Sequence, residues 1–275
     1  MLIEKTCYYD DFMHDIDADW TIAFDDLNDI PFDLNADEKI VTLHNFGLKT
    51  PNLLASPYFK PQVMLALIDA LRMVRHVEWL DGTLHRYHPE TILLIGRICV
   101  ADTQSQKIAT AWDVKMSGDD TLWKHVLCGD VSDMTIAFVN GLENFLAGGM
   151  DENMAMKKSM AIAFNKWFSC PVRTKDCDHD TLNLIDDLIA DNVILGVKKL
   201  EKNAVTCLTL MAGKTDGYID RHLQNDILKN PYYTSMNDEI NQAHLMQTIK
   251  DMNTTTVAGL VFQDKALAQR FMLCE

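Results

Sequence analysis

Asp69, Arg72 and His76 interrupt an apolar stretch, Val63 to Val74 and its continuation, at positions i, i+3 and i+7. On a helix that spacing puts all three on one stripe. A second apolar stretch, Ile92 to Ala101, is broken by Arg97 and followed by Asp102. Charge inside an apolar helix is costly unless it is paired. The pattern therefore predicts one polar cluster of Asp69, Arg72, Arg97 and Asp102 between two helices, a structural salt-bridge network before a catalytic one. His76, Glu78, His85 and His88 form the densest group of metal-capable side chains. As a metal site they would take zinc and support hydrolysis. His76 and Glu78 do not share a helical face, however, and histidines near helix ends are commonly solvated. Cys170, Cys177, Asp178 and His179 match no zinc spacing and read as a loop with incidental thiols. There is no HExxH helix, no G-x-S-x-G elbow and no G-x-G-x-x-G turn. Gly213-Lys214-Thr215 resembles the end of a phosphate loop, but Leu208 stands where its first glycine belongs.

Two long helices must carry these residues. Ser56, Pro57 and Pro61 announce the first, over 59–80, which is apolar nearly all round and therefore buried on most sides. Asp81-Gly82 ends it. His88-Pro89-Glu90 opens the second, over 89–116, with proline in the first turn and a carboxylate at the positive helix end. Shorter helices are expected over 120–127, 132–146 with Ser132 as cap, 153–168 and 180–200, then two or three in the more polar tail after 217. Asp17 to Leu27 has the pattern of a short amphipathic helix. Lys39 to His44 alternates like a strand, one small β element near 39–46. The fold class is mainly α, a helical domain over 1–212 with a helical C-terminal extension, 213–275, packed on it.

With 275 residues the chain is long enough for a sizeable core. Its net charge of −15 disfavours nucleic acid and anionic membranes. No apolar run reaches the length of a membrane span. Seven scattered cysteines, several inside apolar runs, read as reduced thiols of a cytoplasmic protein. The N-terminus lacks the basic and apolar regions of a signal peptide.

From Ser56 to Leu188 the chain resembles a bacterial family of zincin-like metallopeptidases of unknown function. The resemblance rests on Ser56-Pro57-Tyr58-Phe59, Leu67-Ile68-Asp69-Ala70-Leu71-Arg72, His88-Pro89 leading to Arg97, and Ala101-Asp102. Farther on it rests on Ala111-Trp112, Leu122-Trp123, Ala137-Phe138 and Phe164-x-x-Trp167-Phe168. Members with a metal site carry HExxH on the first helix and Glu-Ala-Asp on the second. Two histidines and a carboxylate hold zinc there, and a glutamate activates water. In this chain the first motif falls on Ile68 to Arg72, so Ile68 and Arg72 replace both histidines. Asp69 stands at a vestigial general-base position. Val100 replaces the glutamate ligand, and only Ala101-Asp102 remains of that box. The resemblance thus implies a degenerate zincin-like domain without bound zinc, inactive as an enzyme, acting on an unknown protein partner. The alternative is a metal-dependent hydrolase with a displaced zinc site at His76, Glu78, His85 and His88.

Overall fold

The computed structural model describes residues 19–28, 30–80, 82–211, 217–253, 255–257, 260–262 and 270. Cys7, Cys274, Asp81 and the Gly213-Lys214-Thr215 segment lie outside the described residues. The fold is mainly helical, as expected. The chain divides into two compact units. The first comprises Met1–Asp81, Ile98–Cys170 and Lys202–Asp226, and the second Gly82–Arg97, Pro171–Glu201 and Ile227–Glu275.

The described part of the first unit includes three strands, β1 (Thr21–Asp25), β2 (Phe32–Asn35) and β3 (Ile40–His44). Their order is β1-β3-β2, with β1 parallel and β2 antiparallel to the central strand. The single β element expected near 39–46 is thus the middle of a small sheet. The helix expected over 17–27 is replaced, in its described part, by β1. Thr21, Ile22 and Phe24 suit a pleated surface, and pairing with β3 satisfies backbone groups that a short isolated helix would leave marginal. Val41 and Leu43 of β3 are almost fully buried.

A short helix, α1 (Thr50–Ala55), precedes α2 (Phe59–Leu80), and Ser56 accepts from the Phe59 amide at the start of α2. Helix α3 (Pro89–Met116) spans the expected residues. From Ile98 onward it lies in the first unit and packs antiparallel to α2, with Met73 meeting Thr103. Helices α4 (Thr121–Cys128), α5 (Ser132–Ala147) and α6 (Glu152–Phe168) complete the core. Ser132 begins α5 as a helical residue and supplies no side-chain cap. Gly149, at φ +79°, turns the chain between α5 and α6, and Asp151 caps α6 by accepting from the Met154 amide. Trp112, Trp123 and Phe138 cluster edge to face, and the Lys115 ammonium sits over both tryptophans. A short helix, α8 (Lys202–Leu208), and the first residues of α9 (Arg221–Lys229) close this unit.

The second unit takes the first turns of α3, α7 (Pro171–Ala190), the end of α9, α10 (Pro231–Thr234) and α11 (Glu239–Asn253). The hairpin β4 (Thr255–Val257) and β5 (Leu260–Phe262) follows α11. Helix α7 covers Cys177, Asp178 and His179, expected as loop, and it ends ten residues before the expected boundary at 200. Asn192 takes a left-handed conformation, φ +61°, and the Val193 amide bonds back to the Leu188 carbonyl, a Schellman stop. Beyond it, Gly196 and Lys198 donate to the carbonyls of His85 and Arg86, and His88 donates to Lys198. A Cβ on Gly196 would lie 2.1 Å from the Arg86 carbonyl oxygen. Gly196→Ala is therefore expected to destabilise the second unit by about 3 kcal/mol, because backbone, not a flexible side chain, must move. Urea denaturation of the variant measures this, and an unchanged midpoint would exclude the close approach. Gly96 permits a similar approach of α3 to α7, where an added Cβ would meet the Thr181 hydroxyl at 2.5 Å. Among the described residues no helix is long and apolar enough to cross a membrane.

Candidate functional site

The four charges predicted to meet in one cluster form three separate ion pairs. Arg72 and Asp102 do meet, Nε donating to Oδ2 at 2.5 Å, both fully buried. Asp69 is paired instead with Lys107 at 2.7 Å. Arg97 belongs to the second unit, where Nε and Nη2 clasp both oxygens of Asp178 at 2.7 Å and Nη1 donates to the Tyr233 carbonyl. Five residues apart on one helix, Arg97 and Asp102 project about 140° apart, so one stripe of α2 cannot serve both.

Asp102 is the hub of the first unit's polar core. Its Oδ2 also lies 3.0 Å from His76 Nε2, and its Oδ1 accepts from the Tyr218 hydroxyl at 2.9 Å. His76 Nε2 is 3.1 Å from the Leu208 carbonyl as well. Both neighbours of Nε2 are acceptors, which places the proton on that nitrogen and leaves Nδ1 buried and unpaired. Arg72 Nη2 donates to the carbonyls of Leu208 and Leu210, at the end of α8. A cation is favoured there, where helix carbonyls lack partners of their own. Burial alone would raise Asp102, but the Arg72 guanidinium and His76 outweigh it and hold the carboxyl below its ordinary value. Burial and the Asp102 charge push the Tyr218 phenol upward.

Burial dominates at His76 and lowers its affinity for a proton, with Asp102 opposing only in part. The unfolded chain protonates this imidazole near pH 6.5, the folded chain only at lower pH. Between those values the unfolded state holds more protons, so stability falls as pH drops below about 6.5. Asp102 acts in the same direction at lower pH: its contribution is present above about pH 4 and is lost as pH falls through its folded value. Asp69 opposes them, because burial raises its carboxyl despite Lys107, so the fold takes up that proton before the unfolded chain does. His76→Gln keeps an Nε donor without a titrating ring. It is expected to flatten the loss of stability between pH 6.5 and 5, a loss that approaches about 1.4 kcal/mol per pH unit for one histidine. Urea midpoints across that range test it, and a slope equal in both proteins would refute the assignment to His76.

The metal-capable group around the inter-helix connection does not assemble. His76 is committed to Asp102, Glu78 accepts from the Trp20 indole at 2.9 Å, and His88 is 3.6 Å from Glu90. Among the described residues no three His, Cys, Asp or Glu side chains converge to hold a metal. Nor do the residues at the zinc positions implied by the resemblance fit the ion. Ile68 is buried and offers no ligand atom, Val100 likewise offers none, and Arg72 brings a cation to Asp102. Cys177 is no nucleophile either: burial and the neighbouring Asp178 charge push its thiol up to about 12.

Three participants escaped the reading of the sequence as partners. Lys107 and Tyr218 carry no local signal. Asp178 does, since it precedes Thr181, Leu182 and Ile185 at helical spacing, and all four are buried on one face of α7. Comparison with family models, with curated proteins and with solved structures finds no match to this chain.

Proposed function

We propose that the chain is a catalytically inactive, metallopeptidase-like helical protein that works by binding a protein partner. The observation that carries this reading is the saturation of Asp102. A zinc ligand needs a free lone pair facing an open coordination position. Here both carboxylate oxygens are engaged by Arg72, His76 and Tyr218, at no measurable exposure. Ion pairing stands where the resemblance would put metal ligation, and the general-base position, Asp69, is spent on Lys107. Support for binding comes from the segment after α7. Ile194 and Val197 are 81% and 84% exposed on a stretch pinned by Gly196 and Lys198. Large aliphatic side chains held outward on an ordered backbone suit an interface more than a free surface.

Metal analysis of the purified chain, with a peptidase assay in added zinc, tests the proposal. The expected result is far less than one zinc per chain and no peptide hydrolysis. Stoichiometric zinc that is lost on Asp102→Asn or His76→Gln would sink it.

A further inference from the structure

The second unit contains a cleft of about 530 Å³. Small-molecule sites commonly measure roughly 300–1,000 Å³. Leucines from four separate stretches line it: Leu94 of α3, Leu200 after α7, Leu228 of α9 and Leu245 of α11. Arg97 also lines the cleft and is only 3% exposed. A guanidinium has five N–H donors. Asp178 and the Tyr233 carbonyl take three of Arg97's, leaving one on Nη1 and one on Nη2. Lys199, exposed at the same cleft, has no acidic partner among the described residues. The walls are fixed by polar ties. Asn241 of α11 donates to the Lys175 carbonyl of α7, His244 meets Asp186 at 2.7 Å, and the Gln242 amide holds the Met236 carbonyl.

Charge selects the ligand. Asp178 cancels Arg97, and Lys199 remains as the one cation at the cleft without an acidic partner among the described residues, with Glu90 exposed beside it, in a chain whose net charge is −15. A monoanion balances it. A dianionic phosphate monoester would leave excess negative charge beside Asp178 and Glu90. We propose that this cleft binds a small monocarboxylate with an apolar tail of medium length. The carboxylate lies between the free donors of Arg97 and Lys199, and the tail lies along the leucines. Nothing in this site depends on the polar core of the first unit.

Titration calorimetry of the full chain with hexanoate, octanoate and decanoate tests it, with decanol and decyl phosphate as comparison arms. The expected result is one saturable site per chain, with affinity rising about fourfold for each added methylene. Ser235→Trp fills the mouth at an exposed position and is expected to abolish binding. Lys199→Glu, also exposed, is expected to weaken it about tenfold. Circular-dichroism melting confirms that both variants remain folded. The proposal is overturned if none of the three acids saturates, if decanoate binds both variants as it binds the parent, if decanol binds as tightly as decanoate, or if decyl phosphate binds more tightly.

Discussion

Replacing Arg72 with methionine is expected to lower the free energy of unfolding by roughly 3–5 kcal/mol at pH 8, because it strips a buried carboxylate of its permanent counter-charge. Methionine preserves most of the side chain's volume, so the loss is electrostatic and not a cavity effect. Asp102 would keep only His76 and Tyr218, and the Leu208 and Leu210 carbonyls would lose a donor. Arg72 is also one of the groups that depress His76. Without it, the imidazole next to an unbalanced carboxylate would gain affinity for a proton, and its folded value would rise. The parent chain loses stability to His76 as pH falls below about 6.5, and a folded value that is less depressed makes that loss smaller in the variant. The variant's deficit should therefore shrink at pH 5.5. Urea denaturation at the two pH values measures both effects. A deficit under about 1 kcal/mol, or one that is independent of pH, would exclude Asp102 as a charged hub. Substituting leucine for Asp102 in the same chain should restore only part of the loss, because the Tyr218 hydroxyl would then lack its acceptor and the His76 N–H would keep only the Leu208 carbonyl.

The second large effect belongs to the other unit. Asp178→Asn keeps the shape of the side chain and removes its charge, leaving the Arg97 guanidinium buried with only the Tyr233 carbonyl and a neutral amide. Breaking one side of such a pair costs roughly 3–5 kcal/mol. The two pairs share no partner and lie in different compact units. Hydrogen exchange should accordingly show α7 and α11 losing protection in Asp178→Asn while α2, α5 and α6 keep theirs, and the reverse for the Arg72 variant. Equal loss of protection everywhere in both variants would show that the units open as one.

The near-continuous apolarity of 63–74 and 92–101 demanded burial, and both helices lie where the sequence placed them. Proline in the first turn of α3 and the glycine pair after α5 mark real boundaries. Elements resting on weaker local signals went astray. Thr21 to Asp25 reads as helix by spacing but becomes a strand because β3 offers a ladder. The end of α7 at Ala190 depends on Asn192 adopting a left-handed conformation, which an Asp191-Asn192 pair inside an otherwise apolar stretch does not announce.

By itself, the sequence determined that Asp69, Arg72, Arg97 and Asp102 would be buried and would need counter-charges, since no apolar helix tolerates a lone ion. It also removed the zinc ligands from the positions that the resemblance would assign them, a matter of residue type alone. Only the tertiary structure decided the partners. Arg72 found Asp102, 30 residues away, but Asp69 took Lys107, Arg97 took Asp178, and Tyr218 came from 116 residues along the chain to complete the hub. Helical spacing says which face a residue occupies. Which charge waits opposite depends on how two faces dock, and that is set by packing over the whole core.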